Sequence, residues 1–178
     1  MKKMNKRLAA ALCALMLCCT ALAACGDSDS SAASETKSDN SAAQADTPAD
    51  ADVTYDVVAI ADKLQSDITY KDTLSPLDPS MIEKILKVKP ELYINSKIYI
   101  GAGGATAEEI ACFEATDETA ANDIYSALEA RIENQKKSFE NYNPEELDKL
   151  NDPVLVKKGK YVFMCLSDDN AKAKEIIG

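Results

Sequence analysis

Two pairs of strand-like segments constrain the fold of this 178-residue chain more than any other feature of its sequence. They are Leu92 to Ile100 with Glu108 to Ala115, and Pro153 to Val156 with Tyr161 to Leu166. The first segment alternates apolar and polar residues, which is typical of a strand with one buried face. The second and fourth are apolar on both faces, so we expect them at the centre of a sheet. Because tight turns join each pair, the sequence predicts an antiparallel sheet of about four strands.

Apolar residues spaced three and four apart predict helices around this sheet. We expect a helix from Val53 to about Tyr70 and a long helix from about Glu118 to Tyr142. Shorter helices are expected from Pro79 to about Lys89, after Pro144, and from Asp168 to Ile177. The expected fold class is therefore α+β, a small antiparallel sheet with helices packed on it.

Helix-start signals accompany three of these segments. Asp78 before a proline and Asp117 before the long helix are typical N-caps. Asn143-Pro144-Glu145-Glu146 combines a capping residue, a first-turn proline and a glutamate at the third position, which predicts a capped short helix.

The N-terminus predicts a signal peptide over residues 1–24. Four basic residues precede an apolar run from Leu8 to Leu22, which is too short to span a bilayer comfortably. The run ends in Leu22-Ala23-Ala24-Cys25, which resembles the box of a bacterial lipoprotein signal. That resemblance implies cleavage before Cys25 and a diacylglyceryl thioether on its sulfur, whose two acyl chains would anchor the protein firmly. Ordinary cleavage without lipid is the alternative.

Residues 25–51 are expected to be a disordered acidic tether that begins with the lipidated Cys25. They contain no Leu, Ile, Val or aromatic residue, so they have too little apolar surface to offset the entropy of ordering. Residues 52–178 are then expected to form a single α+β domain.

The charge of the chain argues against nucleic acid as a partner. The formal net charge is −10. Removal of the four basic residues of the signal leaves 16 Lys and Arg against 30 Asp and Glu, or −14. Such a surface is repelled by phosphate backbones.

The side chains offer no familiar catalytic or metal-binding set. The chain has no histidine, which removes the usual general base, most zinc sites and every Ser-His or Cys-His pair. Cys112 and Cys165 lie in apolar strands, where we expect inert core thiols; a disulfide between neighbouring strands and a redox pair are the alternatives. We therefore predict no catalytic residue, no metal ligand and no cofactor, with Cys25 as the lipid attachment residue.

Two further motifs invite a functional interpretation. The segment Gly101 to Thr106 is rich in glycine, but it lacks the Gly-Lys-Ser/Thr of a phosphate-binding loop and a strand follows it, so we expect a hairpin turn. Asp168-Asp169-Asn170 lacks the glycine and the final glutamate of a calcium loop, so we expect a helix cap.

Three segments of the domain carry a family resemblance. They are the run from Gly104 to Ala111, the Asn143 to Glu146 motif, and the stretch from Gly159 to Asp169. Together they resemble the domain-of-unknown-function family numbered 4358, over about Tyr55 to Ile177. The resemblance implies a small lipoprotein of Firmicutes. It implies no activity, so no site residue is carried over from it.

The leading functional hypothesis is a non-catalytic interaction or ligand-binding module. It would be held on the extracytoplasmic side of the cell membrane by its lipid anchor, with an envelope protein or a small ligand as its partner. The alternative is a carboxylate-only envelope hydrolase that cleaves glycans with a pair of Asp and Glu residues. A two-lobed solute-binding protein is disfavoured because a single domain has no cleft between lobes.

Overall fold

The structure, a computed structural model, describes residues 53–178, so the predicted signal peptide, Cys25 and the tether lie outside the described residues. The helices are α1 (Val57–Asp67), α2 (Ile82–Leu86), α3 (Glu118–Tyr142), α4 (Leu147–Asn151) and α5 (Asn170–Ile177). The strands are β1 (Leu74–Pro76), β2 (Tyr93–Gly101), β3 (Glu109–Ala115), β4 (Val154–Lys158) and β5 (Tyr161–Leu166). This arrangement confirms the α+β class.

The five strands form one antiparallel sheet in the order β1-β2-β3-β5-β4. The two strands that are apolar on both faces, β3 and β5, are neighbours at its centre, with Ala111 opposite Met164. The predicted antiparallel pairing and the central position of both strands are thus confirmed.

The sheet has one strand more than predicted. The sequence around Leu74 and Pro76 interrupts the helical pattern before it and predicts no strand, yet it pairs with the end of β2. Three residues are too few to show a period of two, and a proline normally argues against a strand. Here Pro76 is tolerated because β1 is the edge strand and its missing N–H interrupts no inner ladder.

Helices cover both faces of the sheet because the inner strands are apolar on both. Successive residues of β3, such as Cys112 and Phe113, enter different cores. The Phe113 core includes α2, α3 and α4, with Ile124 and Leu128 of α3 fully buried. The Cys112 core includes α1 and α5 together with the opposite face of β5. The molecule is therefore a three-layer sandwich.

Local signals set the ends of the helices. The Asp56 carboxylate accepts hydrogen bonds from the N–H groups of Val58 and Ala59, so α1 begins at Val57, later than predicted. The predicted caps are confirmed at Asp78 and Asp117, which accept from Ser80 and Ala120. The bounds of α3 match the prediction.

The second helix is shorter than predicted. It ends at Leu86 because Lys87 adopts a left-handed conformation with φ of 61° and its N–H bonds to the Glu83 carbonyl. A proline cannot continue a helix, so Pro90 predicts an end near Lys89, but the chain leaves the helix before it reaches that residue. Among residues 53–178, no helix combines the length and the apolar character needed to cross a bilayer.

Candidate functional site

Charged side chains are buried where β3 begins and β5 ends. Glu109 pairs with Leu166 in the central ladder, so Glu108 lies beside the residues that follow β5. Because successive side chains of a strand point to opposite faces, these two glutamates enter different environments. Both are almost fully buried, with exposed fractions of 2% for Glu108 and 1% for Glu109.

Lys149 of α4 links two of the buried carboxylates. Its Nζ lies 2.8 Å from Glu146 Oε2 and 3.2 Å from Glu108 Oε1. The side chains of all three residues are at most 2% exposed. A buried charge is tolerated only when it is paired and hydrogen-bonded, and each charge of this triad has a partner of opposite sign.

Main-chain N–H groups also donate hydrogen bonds to the carboxylates of Glu108 and Glu146. Glu108 accepts hydrogen bonds from the N–H groups of Lys71 and Asp72, each at 2.9 Å. Glu146 accepts one from the N–H of Ala107, also at 2.9 Å. The triad therefore fastens the segment between α1 and β1 and the start of α4 to the end of the central strand.

A half-exposed ion pair covers the triad. Asp168 Oδ2 lies 3.3 Å from Lys71 Nζ and 3.7 Å from Lys149 Nζ. Lys71 Nζ also lies 3.8 Å from Glu146 Oε1. The exposed fractions of the Lys71 and Asp168 side chains are 55% and 51%, so this pair is where the cluster meets solvent. We call the five residues Lys71, Glu108, Glu146, Lys149 and Asp168 the charged cluster.

The charged cluster keeps Lys149 protonated. Burial alone lowers the pKa of an ammonium group, and it is the largest single influence on Lys149. The hydrogen bonds to Glu146 and Glu108 and their negative charges together outweigh it, so the pKa of Lys149 lies above its ordinary value of 10.5. Lys149 is therefore a fixed cation and is unsuited to act as a nucleophile or a base.

The second buried glutamate, Glu109, has its own cation, Arg131. Arg131 of α3 donates from Nε at 2.9 Å and from Nη2 at 2.7 Å to the two oxygens of Glu109. Gln135, one turn further along α3, donates from Nε2 to Glu109 Oε2 at 3.2 Å. This bidentate pair joins the long helix to the start of β3.

The two cysteines lie in the core that contains α1 and α5. Cys112 is opposite Phe163 and Cys165 is opposite Ile110, so the two thiols are diagonal neighbours on one face of the sheet. Such a diagonal typically separates Cα atoms by about 7–8 Å, beyond what a disulfide bridges without strain. Both thiols are free and buried in the structure.

The surroundings of the thiols disfavour ionisation. Burial raises the pKa of Cys112 well above its ordinary value of 9.0. Burial also raises the pKa of Cys165, and hydrogen bonds between this thiol and Tyr70 and Ser167 only partly offset that effect. The Tyr70 hydroxyl donates to the Leu64 carbonyl at 3.1 Å and lies 3.6 Å from Cys165 Sγ. Only the thiolate is a nucleophile, and both thiols are buried and protonated. Cys112 and Cys165 are therefore inert groups of the core.

The Asn143 to Glu146 motif works differently from the predicted capping box, and that prediction is wrong in its contacts. The Asn143 side chain makes no cap; its Nδ2 donates to the Ala105 carbonyl at 3.1 Å. The Glu146 carboxylate bonds to Ala107 and Lys149 instead of returning to the helix start. Pro144 does open a short 3₁₀ turn that leads into α4.

The remaining motifs lie at the same end of the sheet. The glycine-rich segment is a turn between β2 and β3, as predicted, and Gly103 N–H donates to Asp72 Oδ2 at 2.7 Å. Asp169 caps α5 as expected, whereas Asp168 joins the charged cluster. Within residues 53–178 no group of three or more Cys, Asp or Glu is placed to hold a metal ion.

Sequence reasoning missed the charged cluster, although each of its carboxylates lies in a segment that carried the family resemblance. Glu108, Glu146 and Asp168 belong to three separate motifs that the fold brings together. A usable signal was the position of Lys149 between Leu147 and Leu150, since a lysine beside core positions needs a buried partner.

Comparison with known proteins gives one match. No curated protein and no solved structure matches the chain. The family model described as Domain of unknown function (DUF4358) matches residues 66–167. This range includes four of the five residues of the charged cluster, and Asp168 follows it directly. The chain therefore belongs to this domain-of-unknown-function family.

Proposed function

We propose that the protein is a lipoprotein, anchored by Cys25 on the extracytoplasmic side of the cell membrane, whose domain binds an envelope component without catalysing a reaction. The anchor follows from the Leu22-Ala23-Ala24-Cys25 box. Two acyl chains hold a protein at a bilayer far more firmly than one, so the domain would remain at the surface.

The non-catalytic part of the proposal rests on one observation: the carboxylates of Glu108 and Glu146 are already bonded to other groups of the chain. A glycan hydrolase needs two carboxyl groups about 5–9.5 Å apart with the sugar, or the sugar and a water, between them. Between Glu108 and Glu146 lies the Lys149 ammonium, which bonds to both. Main-chain N–H groups take further lone pairs of the same carboxylates. The alternative of a carboxylate-only hydrolase therefore finds no support in this buried acid pair.

The anchor is tested by substitution in cells. Cys25→Ser is expected to abolish incorporation of labelled fatty acid and to release the protein from the membrane fraction. Cys19→Ser, which changes a cysteine of the apolar run only, is the matched control and should remain labelled. Label in the Cys25→Ser protein would refute the anchor.

The absence of catalysis is tested with isolated cell-wall glycan. Wild-type protein and the Glu108→Gln and Glu146→Gln variants should release equal, background amounts of reducing sugar. Release by the wild type that either variant abolishes would establish the hydrolase instead.

A further inference from the structure

The edge of the sheet at β2 is only partly covered. The pairing of β1 with β2 reaches from Gly101 to Tyr99. One more hydrogen bond, from Leu77 N–H to the Ile98 carbonyl at 3.0 Å, ends that contact. The remaining segment of β2, Tyr93 to Lys97, which we call the open edge, pairs with β3 on its other side only.

One residue of the open edge, Ser96, directs its main-chain N–H and C=O away from β3. In an antiparallel strand the N–H and C=O of one residue point to the same side, and alternate residues share that side. Ile98 directs its carbonyl towards Leu77, so Ser96 directs its own pair to the same side. Within residues 53–178 neither group of Ser96 has a hydrogen-bond partner there. Unpaired main-chain groups at a sheet edge are a template for one more strand.

A bulge presents an apolar side chain beside these groups. The register between β2 and β3 is regular from Asn95 to Ile100 and shifts between Tyr93 and Asn95. The shift leaves Ile94 without a partner in β3, and its side chain is 62% exposed. It is one of three large apolar side chains that are exposed in the described part of the chain.

The open edge also carries a cation. Lys97 Nζ lies 5.1 Å from the centre of the Tyr99 ring, and no carboxylate of residues 53–178 lies within ion-pair distance of it. The neighbouring Asp62 is engaged by the Tyr99 hydroxyl at 2.7 Å. An acidic side chain on an added strand would reach Lys97 without displacing that bond.

We propose that the open edge binds an extended peptide segment of a partner protein by β-strand addition. The segment would pair its main chain with Ser96, pack an apolar side chain on Ile94 and place an acidic one near Lys97. The inference rests on the proposed binding function and names its partner class. A second copy fits less well, because residues 93–97 offer no carboxylate to Lys97. A five-residue pairing also buries less than the roughly 1,200 Å² of a stable dimer.

The test uses the chain from residue 25 with Cys25→Ser, so that it is soluble, and a synthetic nine-residue peptide of alternating valine and threonine with a central aspartate. Saturating peptide should slow hydrogen exchange of the Ser96 amide by about tenfold or more. A peptide with central lysine should bind about fivefold more weakly in low salt, and the gap should close in 0.5 M salt, where charges are screened. A peptide N-methylated at every residue, which has no main-chain N–H donor on either edge, should not bind.

Variants locate the site. Ser96→Pro removes the outward donor, and Ile94→Ser removes the apolar contact; both should weaken binding at least about fivefold. Tyr142→Ser, which alters another exposed apolar residue at the end of α3, should bind normally. If Ser96→Pro fails to fold, judged by circular dichroism, the N-methylated peptide still decides the matter.

Three results would overturn the inference. These are unchanged exchange at Ser96, equal binding of the N-methylated peptide, or protection that grows with protein concentration without peptide, which would indicate a second copy. Because the anchor is absent from this experiment, such a failure leaves the Cys25 prediction standing, and loss of the anchor would leave peptide binding intact.

Discussion

Lys149 is the single residue on which the charged cluster depends. Its ammonium is the only side-chain cation in contact with Glu108, and it also pairs with Glu146 and Asp168 within the described part of the chain. Removing one partner of a buried ion pair leaves an uncompensated charge, which typically costs about 3–5 kcal/mol. Lys149→Met should therefore lower the free energy of unfolding in urea by about that amount.

A matched substitution separates this effect from the loss of any lysine. Lys172 pairs with Glu175 at 3.1 Å, but the glutamate is 70% exposed. Lys172→Met should cost less than about 1 kcal/mol, as exposed pairs do. A cost below about 1 kcal/mol for Lys149→Met as well would show that the buried glutamates become protonated or hydrated without penalty.

The buried thiols predict a loss of stability in alkali. Their pKa values in the native state are raised above 9.0, so they stay protonated while the unfolded chain ionises. Stability from this source is complete below pH 9 and decreases as pH rises. Between pH 9 and pH 10 Cys112 should remove about 1 kcal/mol from the free energy of unfolding, and Cys165 should add to the loss in the same direction.

The double variant Cys112→Ala, Cys165→Ala provides the comparison. At pH 7 it should be less stable by about 1–2 kcal/mol per site, the loss of a small buried group. Its stability should change much less between pH 9 and pH 10. Thiol titration of the unfolded wild type should find two reactive thiols in the described domain, and finding none would mean that a disulfide joins β3 and β5.

The residues of the charged cluster could not be predicted as a group from the sequence. Glu108 and Lys149 lie 41 positions apart and meet only because α4 packs beside the start of β3. The apolar environment of the cysteines was predictable, since their strands are apolar on both faces. An ion pair depends on tertiary contacts, whereas the burial of a strand residue is encoded in its neighbours.

At the scale of elements, the junction before α4 is held by a tertiary contact and not by a local cap. Glu146 bonds to the Ala107 N–H and to Lys149, and it is 2% exposed. Its neighbour Glu145 is exposed. Glu146→Gln should cost about 1–3 kcal/mol, because the charge that pairs with Lys149 is lost. Glu145→Gln should stay within about 0.5 kcal/mol of the wild type. A loss for Glu146→Gln no larger than that for Glu145→Gln in urea unfolding would show that the buried contacts of Glu146 do not stabilise the junction.

The elements differ in how much of them the sequence determines locally. The bounds of α3 and β5 were predictable because a long amphipathic period and an uninterrupted apolar run are local properties. β1 was not predictable, since its three residues form a strand only through the ladder with β2. The left-handed Lys87 that ends α2 is a residue for which no sequence preference gives warning.

At the scale of the whole molecule, the two hairpins join through β3 and β5. The sequence did not predict which residues of these two strands pair. Adjacent pairing within β2–β3 and β4–β5 follows from short turns, whereas the β3–β5 pairing spans the intervening α3 and α4. Burial of both faces of these strands required neighbours on each side, so their central position was predictable. Their exact partners were set by the packing of helices into two separate cores.

The two cores also predict where the chain can be shortened. Their buried residues run from Val57 to Ile177. A variant that begins at Asp52 should therefore melt within about 2 °C of the mature chain, because it keeps every one of them. A variant that begins at Val58 loses the Asp56 cap and the fully buried Val57, and it should melt about 10 °C lower. Thermal unfolding followed by circular dichroism compares the three. A drop of more than a few degrees for the variant that begins at Asp52 would mean that residues 25–51 contribute to the stability of the domain, contrary to their prediction as a tether.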